Sequence, residues 1–94
     1  MLVMTKVLIQ ITDDDIRRGI PFNSDSCPVA RALRRATKKP WHVGCTCICL
    51  IDDKGAVIAG SCTKMPKAAI DFIDDVDCMN TVHPLWFEME IPDV

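Results

Sequence analysis

Glycine is scarce in this chain: the four present are scattered singly, so no glycine-rich loop exists to cradle a phosphate. Histidine is scarcer. The two, His42 beside Trp41 and His83 before Pro84, lie in connecting segments, and neither belongs to a Ser-His-Asp, His-Glu-x-x-His or paired-carboxylate arrangement. No apolar run approaches the ~20 residues that a membrane-spanning helix needs. Low-complexity tracts and internal repeats are also missing. The opening segment, Met1 to Ile9, lacks the basic region and small-residue cleavage site of a signal peptide and reads as a first strand, with Met4 an equally good start. Nothing in this pattern makes an enzyme the expected reading.

What is there fits one folded unit. A chain of 94 residues, 49% hydrophobic and 26% charged, has enough apolar surface for one core and one domain, residues 1–94. The formal net charge of −2 decides nothing about nucleic acid. Six cysteines without an export signal read as free thiols in a reducing cytoplasm, with no metal and no cofactor expected.

Val7, Ile9 and Ile11 alternate with Lys6, Leu8 and Gln10, the period of a strand with one buried face. Asp13 to Asp15 offer caps for a single helical turn stopped by Gly19. Ser26-Cys27-Pro28 then starts a helix whose apolar face is Val29, Ala30 and Leu33 and whose other face is Arg31, Arg34, Arg35, Lys38 and Lys39, ended by Pro40. Val43 to Ile51 reads as one strand, followed by a turn at Asp52–Gly55 and a return strand from Ala56 to Thr63. In that register Thr46, Ile48 and Leu50 share a face with Ile58, Gly60 and Cys62, while Cys45, Cys47 and Cys49 take the other. A second helix follows Pro66, apolar at Ala69, Ile70, Ile73 and Val76, with Asp71, Asp74 and Asp75 outside. Leu85, Phe87, Met89 and Ile91 alternate with Trp86, Glu88 and Glu90 in a last strand. The order β-α-β-β-α-β predicts an α+β, two-layer fold in which a four-stranded antiparallel or mixed sheet carries two helices on one face.

Three features are candidates for function. Arg31, Arg34, Arg35 and Lys38 put cations on a helix that has no acidic residue after Asp25, a surface suited to phosphate or to an acidic partner. Leu8, Trp86 and the row Cys45, Cys47 and Cys49 fall on the sheet face away from the helices and predict self-association through that face or through the edge of the hairpin. The row suits neither a tetrahedral zinc site nor a disulfide within one strand. Cys27, at a helix start, is the candidate for a reactive thiol, because the partial positive charge there lowers a thiol pKa.

The segments Ile11-Thr-Asp-Asp-Asp-Ile-Arg-Arg-Gly19, Cys27-Pro-Val-Ala-Arg-Ala-Leu33, Pro66 to Asp77 and His83-Pro-Leu-Trp-Phe-Glu-Met-Glu-Ile-Pro92 together resemble small hypothetical proteins encoded by tailed bacteriophages. The likeness runs over most of the chain. It departs at Val76, where an aromatic residue is expected, and at the cysteine row. The resemblance implies the host cytoplasm and a non-enzymatic counter-defence binder that blocks a host defence protein or sequesters an anionic nucleotide-type molecule. A thiol or metal-dependent redox protein using Cys27 or the cysteine row is the alternative. A small nucleic-acid-associated regulator is a third, disfavoured by the acidic total.

Overall fold

The computed structural model describes residues 3–92. Met1 and Leu2, the beginning of the first-strand reading, lie outside the described residues. In chain order the elements are β1 (Met4–Ile11), α1 (Asp13–Arg18), α2 (Pro28–Thr37), β2 (Trp41–Val43), β3 (Cys47–Leu50), β4 (Thr63–Lys64), α3 (Lys67–Asp77) and β5 (Leu85–Pro92).

β1 and β5 form an antiparallel two-stranded ribbon, paired from Met4↔Pro92 to Ile11↔Leu85. Alternation sorts its residues as the sequence predicts. Ile9, Ile11, Phe87, Met89 and Ile91 are buried, and Leu8, Trp86, Glu88 and Glu90 face outward.

The class is α+β, but the single four-stranded sheet is not what forms. β2, β3 and β4 make a separate antiparallel sheet, and there are three helices. The first cause is a fold-back within the predicted Val43–Ile51 strand. Gly44 N–H donates to the Cys47 carbonyl at 2.8 Å, so Cys45 and Thr46 become the turn of a tight hairpin. The second cause is at the strand edges. On β2 the Val43 N–H donates to the Ser24 carbonyl at 2.9 Å, and the Trp41 carbonyl accepts from Arg34 Nε at 3.1 Å. On β1 the Gln10 carbonyl accepts from Arg35 at 2.7 Å. Consecutive arginines of α2 thus occupy one edge of each sheet, where a joined sheet would need backbone partners.

The predicted return strand is broken as well. Ile51 bridges Val57 and Ile58 N–H still donates to the Leu50 carbonyl at 2.9 Å, but a turn at Ala59–Gly60, with Gly60 at φ 81°, inserts residues into one side of the ladder. Pairing resumes at Ile48↔Thr63 and Cys47↔Lys64. The fully buried Ser61 hydroxyl repairs the gap, accepting from Leu50 N–H at 3.0 Å and donating to the Ile58 carbonyl at 2.6 Å. Gly55, at φ 80°, takes the left-handed position its turn assigns it.

One apolar core joins the parts. Ile9 and Ile11 of β1, Val29 and Leu33 of α2, Trp41, Ile48 and Leu50, Phe72 and Ile73 of α3, and Phe87 and Met89 of β5 belong to a single buried cluster. Trp41 is fully buried, and its indole N–H donates to Thr37 Oγ1 at 3.0 Å, fixing β2 to the end of α2. No helix among the described residues is long and apolar enough to cross a membrane.

Candidate functional site

The basic helix face is built where the sequence puts it, but its charge is opposed from elsewhere in the fold. α1 begins with a capping box: Thr12 Oγ1 accepts from Asp15 N–H at 3.2 Å, and the Asp15 carboxylate accepts from Thr12 N–H at 3.0 Å. That geometry aims the fully buried Asp15 carboxylate at α2, where Arg35 grips it with two hydrogen bonds of 2.7 Å. Burial pushes the Asp15 pKa up, but the Arg35 and Thr12 hydrogen bonds outweigh it and hold the carboxyl below its ordinary value. Arg31 Nε stands 3.5 Å from the same carboxylate. Arg34 stands 3.5 Å from Asp25 while its Nε holds the Trp41 carbonyl.

Arg31, Arg34 and Arg35 are therefore not the unopposed cations the local sequence suggests. Their partners come from 9 to 20 residues upstream, out of reach of any reading along one helix. Arg35 in particular is a structural residue. Lys38, in the left-handed conformation at φ 61°, ends α2 as its C-cap. An excess of cation remains beside Asp14, which is shared by Arg17 at 3.1 Å, Arg18 at 2.9 Å and Arg31 at 3.4 Å.

Cys27 is the N-cap of α2, its sulfur accepting from Ala30 N–H at 3.4 Å. The helix amides favour a thiolate, as the sequence reading supposes. Burial nevertheless dominates and pushes the pKa up, with the Asp77 carboxylate also opposing ionisation. A buried, protonated thiol is a poor nucleophile, so the geometry does not favour Cys27 as a catalytic residue.

The cysteine row is rearranged. Cys45 sits in the β2–β3 turn, while Cys47 and Cys49 remain on the outer face of β3. Cys62 joins them there. The residues inserted at Ala59–Gly60 shift the register by an odd number, which moves Cys62 from the predicted face to the opposite one. Cys47 and Cys62 are exposed and Cys49 is half-buried. Burial and the adjacent thiols of Cys62 and Cys47 push the Cys49 pKa up. On the far side of β3, His42 pairs with Cys49, and His42 Nε2 contacts the Asp25 carboxylate. Among the described residues, no three His, Cys, Asp or Glu side chains are grouped to hold a metal ion.

No family model, curated protein or solved structure matches this chain.

The outer face of the β1–β5 ribbon leaves two large apolar side chains open on regular strands. Trp86 is 66% exposed and stands across from Gln10, with Leu8, 47% exposed, on the diagonal. Beside Trp86 an open groove of about 400 Å³ runs between Gln10, Thr12 and Pro84. Lys6 lies 4.0 Å from Glu88, so cation and anion lie side by side on the same face. Leu8 and Trp86 are the interface residues the alternation pattern singles out; Cys47 and Cys49 in the other sheet, and Cys45 in its β2–β3 turn, do not extend this face. Local sequence reading misses Phe22, 78% exposed at φ 61° with its N–H bonded to Asp77, and misses the tertiary role of Asp15. An aspartate three residues after a threonine was the available signal for the capping box.

Proposed function

We propose that this chain is a non-enzymatic binding protein that self-associates through the outer face of the β1–β5 ribbon. The observation that carries the reading is Trp86, a large aromatic surface left open on a regular strand beside Leu8 and a groove. Tryptophan, with tyrosine and arginine, is enriched among the residues that anchor protein interfaces. Covering the exposed parts of Trp86 and Leu8 contributes on the order of 5 kcal/mol per copy at ~25 cal/mol per Å². Two copies together reach the scale of the ~4–15 kcal/mol that association costs. The charge pattern suits a second copy of the same chain: a two-fold axis through the face can bring Lys6 of β1 against Glu88 or Glu90 of the partner's β5.

The resemblance to small tailed-phage proteins supplies the context, a counter-defence role in the host cytoplasm. Arg17 and Arg18 share the Asp14 carboxylate with Arg31, which also reaches Asp15, and the surplus of cation that remains favours an anionic target there, either an acidic surface of a host defence protein or a nucleotide. Mass spectrometry of small molecules co-purifying with the protein tests the nucleotide arm.

Light scattering tests the assembly. At micromolar concentration the wild-type chain should give twice its 10.5 kDa mass, and Trp86→Ser should return it to a folded monomer whose melting temperature, unlike that of the wild type, no longer rises with protein concentration. A wild-type monomer up to about 100 µM, near −5.5 kcal/mol of binding free energy, would defeat the proposal.

A further inference from the structure

The insertion that shifts Cys62 across the sheet also places it opposite Cys49. Pairing runs Cys47↔Lys64 and Ile48↔Thr63, and beyond the end of that ladder the Ser61 hydroxyl still reaches the Leu50 N–H, keeping the two segments side by side. Cys62, between Ser61 and Thr63, therefore faces Cys49. The hydrogen-bond phase can be read as well. Met65 N–H donates to the Thr46 carbonyl at 2.9 Å, which makes Thr46 and Met65 a hydrogen-bonded pair. In an antiparallel ladder such pairs alternate with non-bonded ones, so Ile48/Thr63 is bonded and Cys49/Cys62 is not. Non-bonded positions bring α-carbons to about 4.5 Å and side chains closest together. A disulfide needs α-carbons at about 4.4–6.8 Å, a range that includes the spacing of a non-bonded pair. The two thiols already interact, and one of them is open to solvent.

We propose that Cys49 and Cys62 form a cross-strand dithiol site that exchanges with low-molecular-weight disulfides. The exposed Cys62 thiol loses its proton to solvent, and its thiolate attacks one sulfur of the small disulfide. That S–S bond breaks, a small thiolate leaves, and Cys62 carries a mixed disulfide. Cys49, half-buried alongside, then loses its proton and attacks the Cys62 sulfur, which expels the second small thiolate. The two protein thiols give up two electrons and two protons, and the small disulfide is reduced to two thiols. The product ties β3 to the chain segment that follows the bulge. Cys47 lies on the same face but two residues along the strand, about 6 to 7 Å from Cys49, and it faces Lys64 rather than a thiol.

The test uses the full chain with oxidised glutathione as the small disulfide, followed by alkylation, trypsin and tandem mass spectrometry. Cleavage at Lys54 and Lys64 separates Cys49 from Cys62, so a bond between them joins two peptides. The expected result is loss of two of the six free thiols, a Cys49–Cys62 linked pair as the main product, and full reversal by dithiothreitol. Cys49→Ser should instead stop at a glutathione adduct on Cys62, with no second thiol lost. Linkage scattered among Cys45, Cys47 and Cys78, or glutathione adducts spread evenly over the exposed cysteines of the wild type, would overturn the proposal.

Discussion

Replacing Arg35 by methionine removes the guanidinium while keeping the length of its stem, and the structure sets the scale of the damage. Three hydrogen bonds of 2.7 Å are lost, two to the Asp15 carboxylate and one to the Gln10 carbonyl. Gln10 lies where water can take over. Asp15 does not, because it is fully buried and keeps only the Thr12 N–H at 3.0 Å and Arg31 Nε at 3.5 Å. Stranding a buried charge costs about 3–5 kcal/mol. The Arg35 side chain is 47% exposed and Arg31 stands by, so a discounted ~2–3 kcal/mol is the expected loss, or a fall in Tm of roughly 10–20 °C for a domain of this size. The pH dependence gives an independent reading. The Asp15 pKa is held below 3.8 in the folded protein, so its contribution is present above that value and is lost as pH falls through the folded pKa. Without Arg35, burial raises the Asp15 pKa, so the gap between wild type and Arg35→Met should narrow as pH falls toward the folded pKa of Asp15 in the wild type. Urea melts at neutral pH and in a descending series measure both effects. A variant within about 0.5 kcal/mol of wild type at pH 7, the usual range for exposed substitutions, or a gap unchanged in acid, would refute the reasoning.

Ser61→Ala should destabilise by about 1–3 kcal/mol, because the buried Leu50 N–H loses its acceptor; hydrogen exchange at the Leu50 amide should rise with it, and unchanged protection there would sink the claim. Gly19→Ala should cost about 1–3 kcal/mol through overpacking, since a β-carbon there would lie 2.6 Å from both the Asp15 carbonyl oxygen and the Pro28 ring. At φ −69° the backbone itself accepts alanine, so a neutral substitution in urea titration would mean α1 does not pack against Pro28 as described.

The sequence displays what depends on local periodicity. The ribbon's inner and outer faces, the apolar stripes of α2 and α3 and the Asp52–Gly55 turn can all be read from spacing alone. Breaks inside apolar strands are hidden. Gly44-Cys45-Thr46-Cys47 carries thiols and a β-branched residue that read as continuing strand, though the lone Gly44 and Gly60 are the residues that mark a bend and a bulge. The fate of the arginines is also hidden, because Arg35 and Asp15 meet only once α1 packs on α2. Helix-face charge was visible in the sequence; its neutralisation required the tertiary structure. One odd-numbered register shift, invisible along the chain, moves Cys62 to the face of β3 that carries Cys47 and Cys49.

The ribbon that carries Trp86 joins opposite ends of the chain, with partners separated by 74 residues at Ile11↔Leu85 and by 88 at Met4↔Pro92. Such contacts bear the largest loop-closure entropy in the molecule and are the last to be rewarded during folding. The nearer contacts of α2, β2 and β3 can form while the chain is still being made, but β1 must wait for the whole of β5 to leave the ribosome. Until then an eight-residue strand keeps one edge without its final partner. The Arg35 cap on Gln10 acquires a temporal meaning from this: it can hold the other edge of β1 as soon as α2 exists, long before the strand that completes the ribbon has been synthesised.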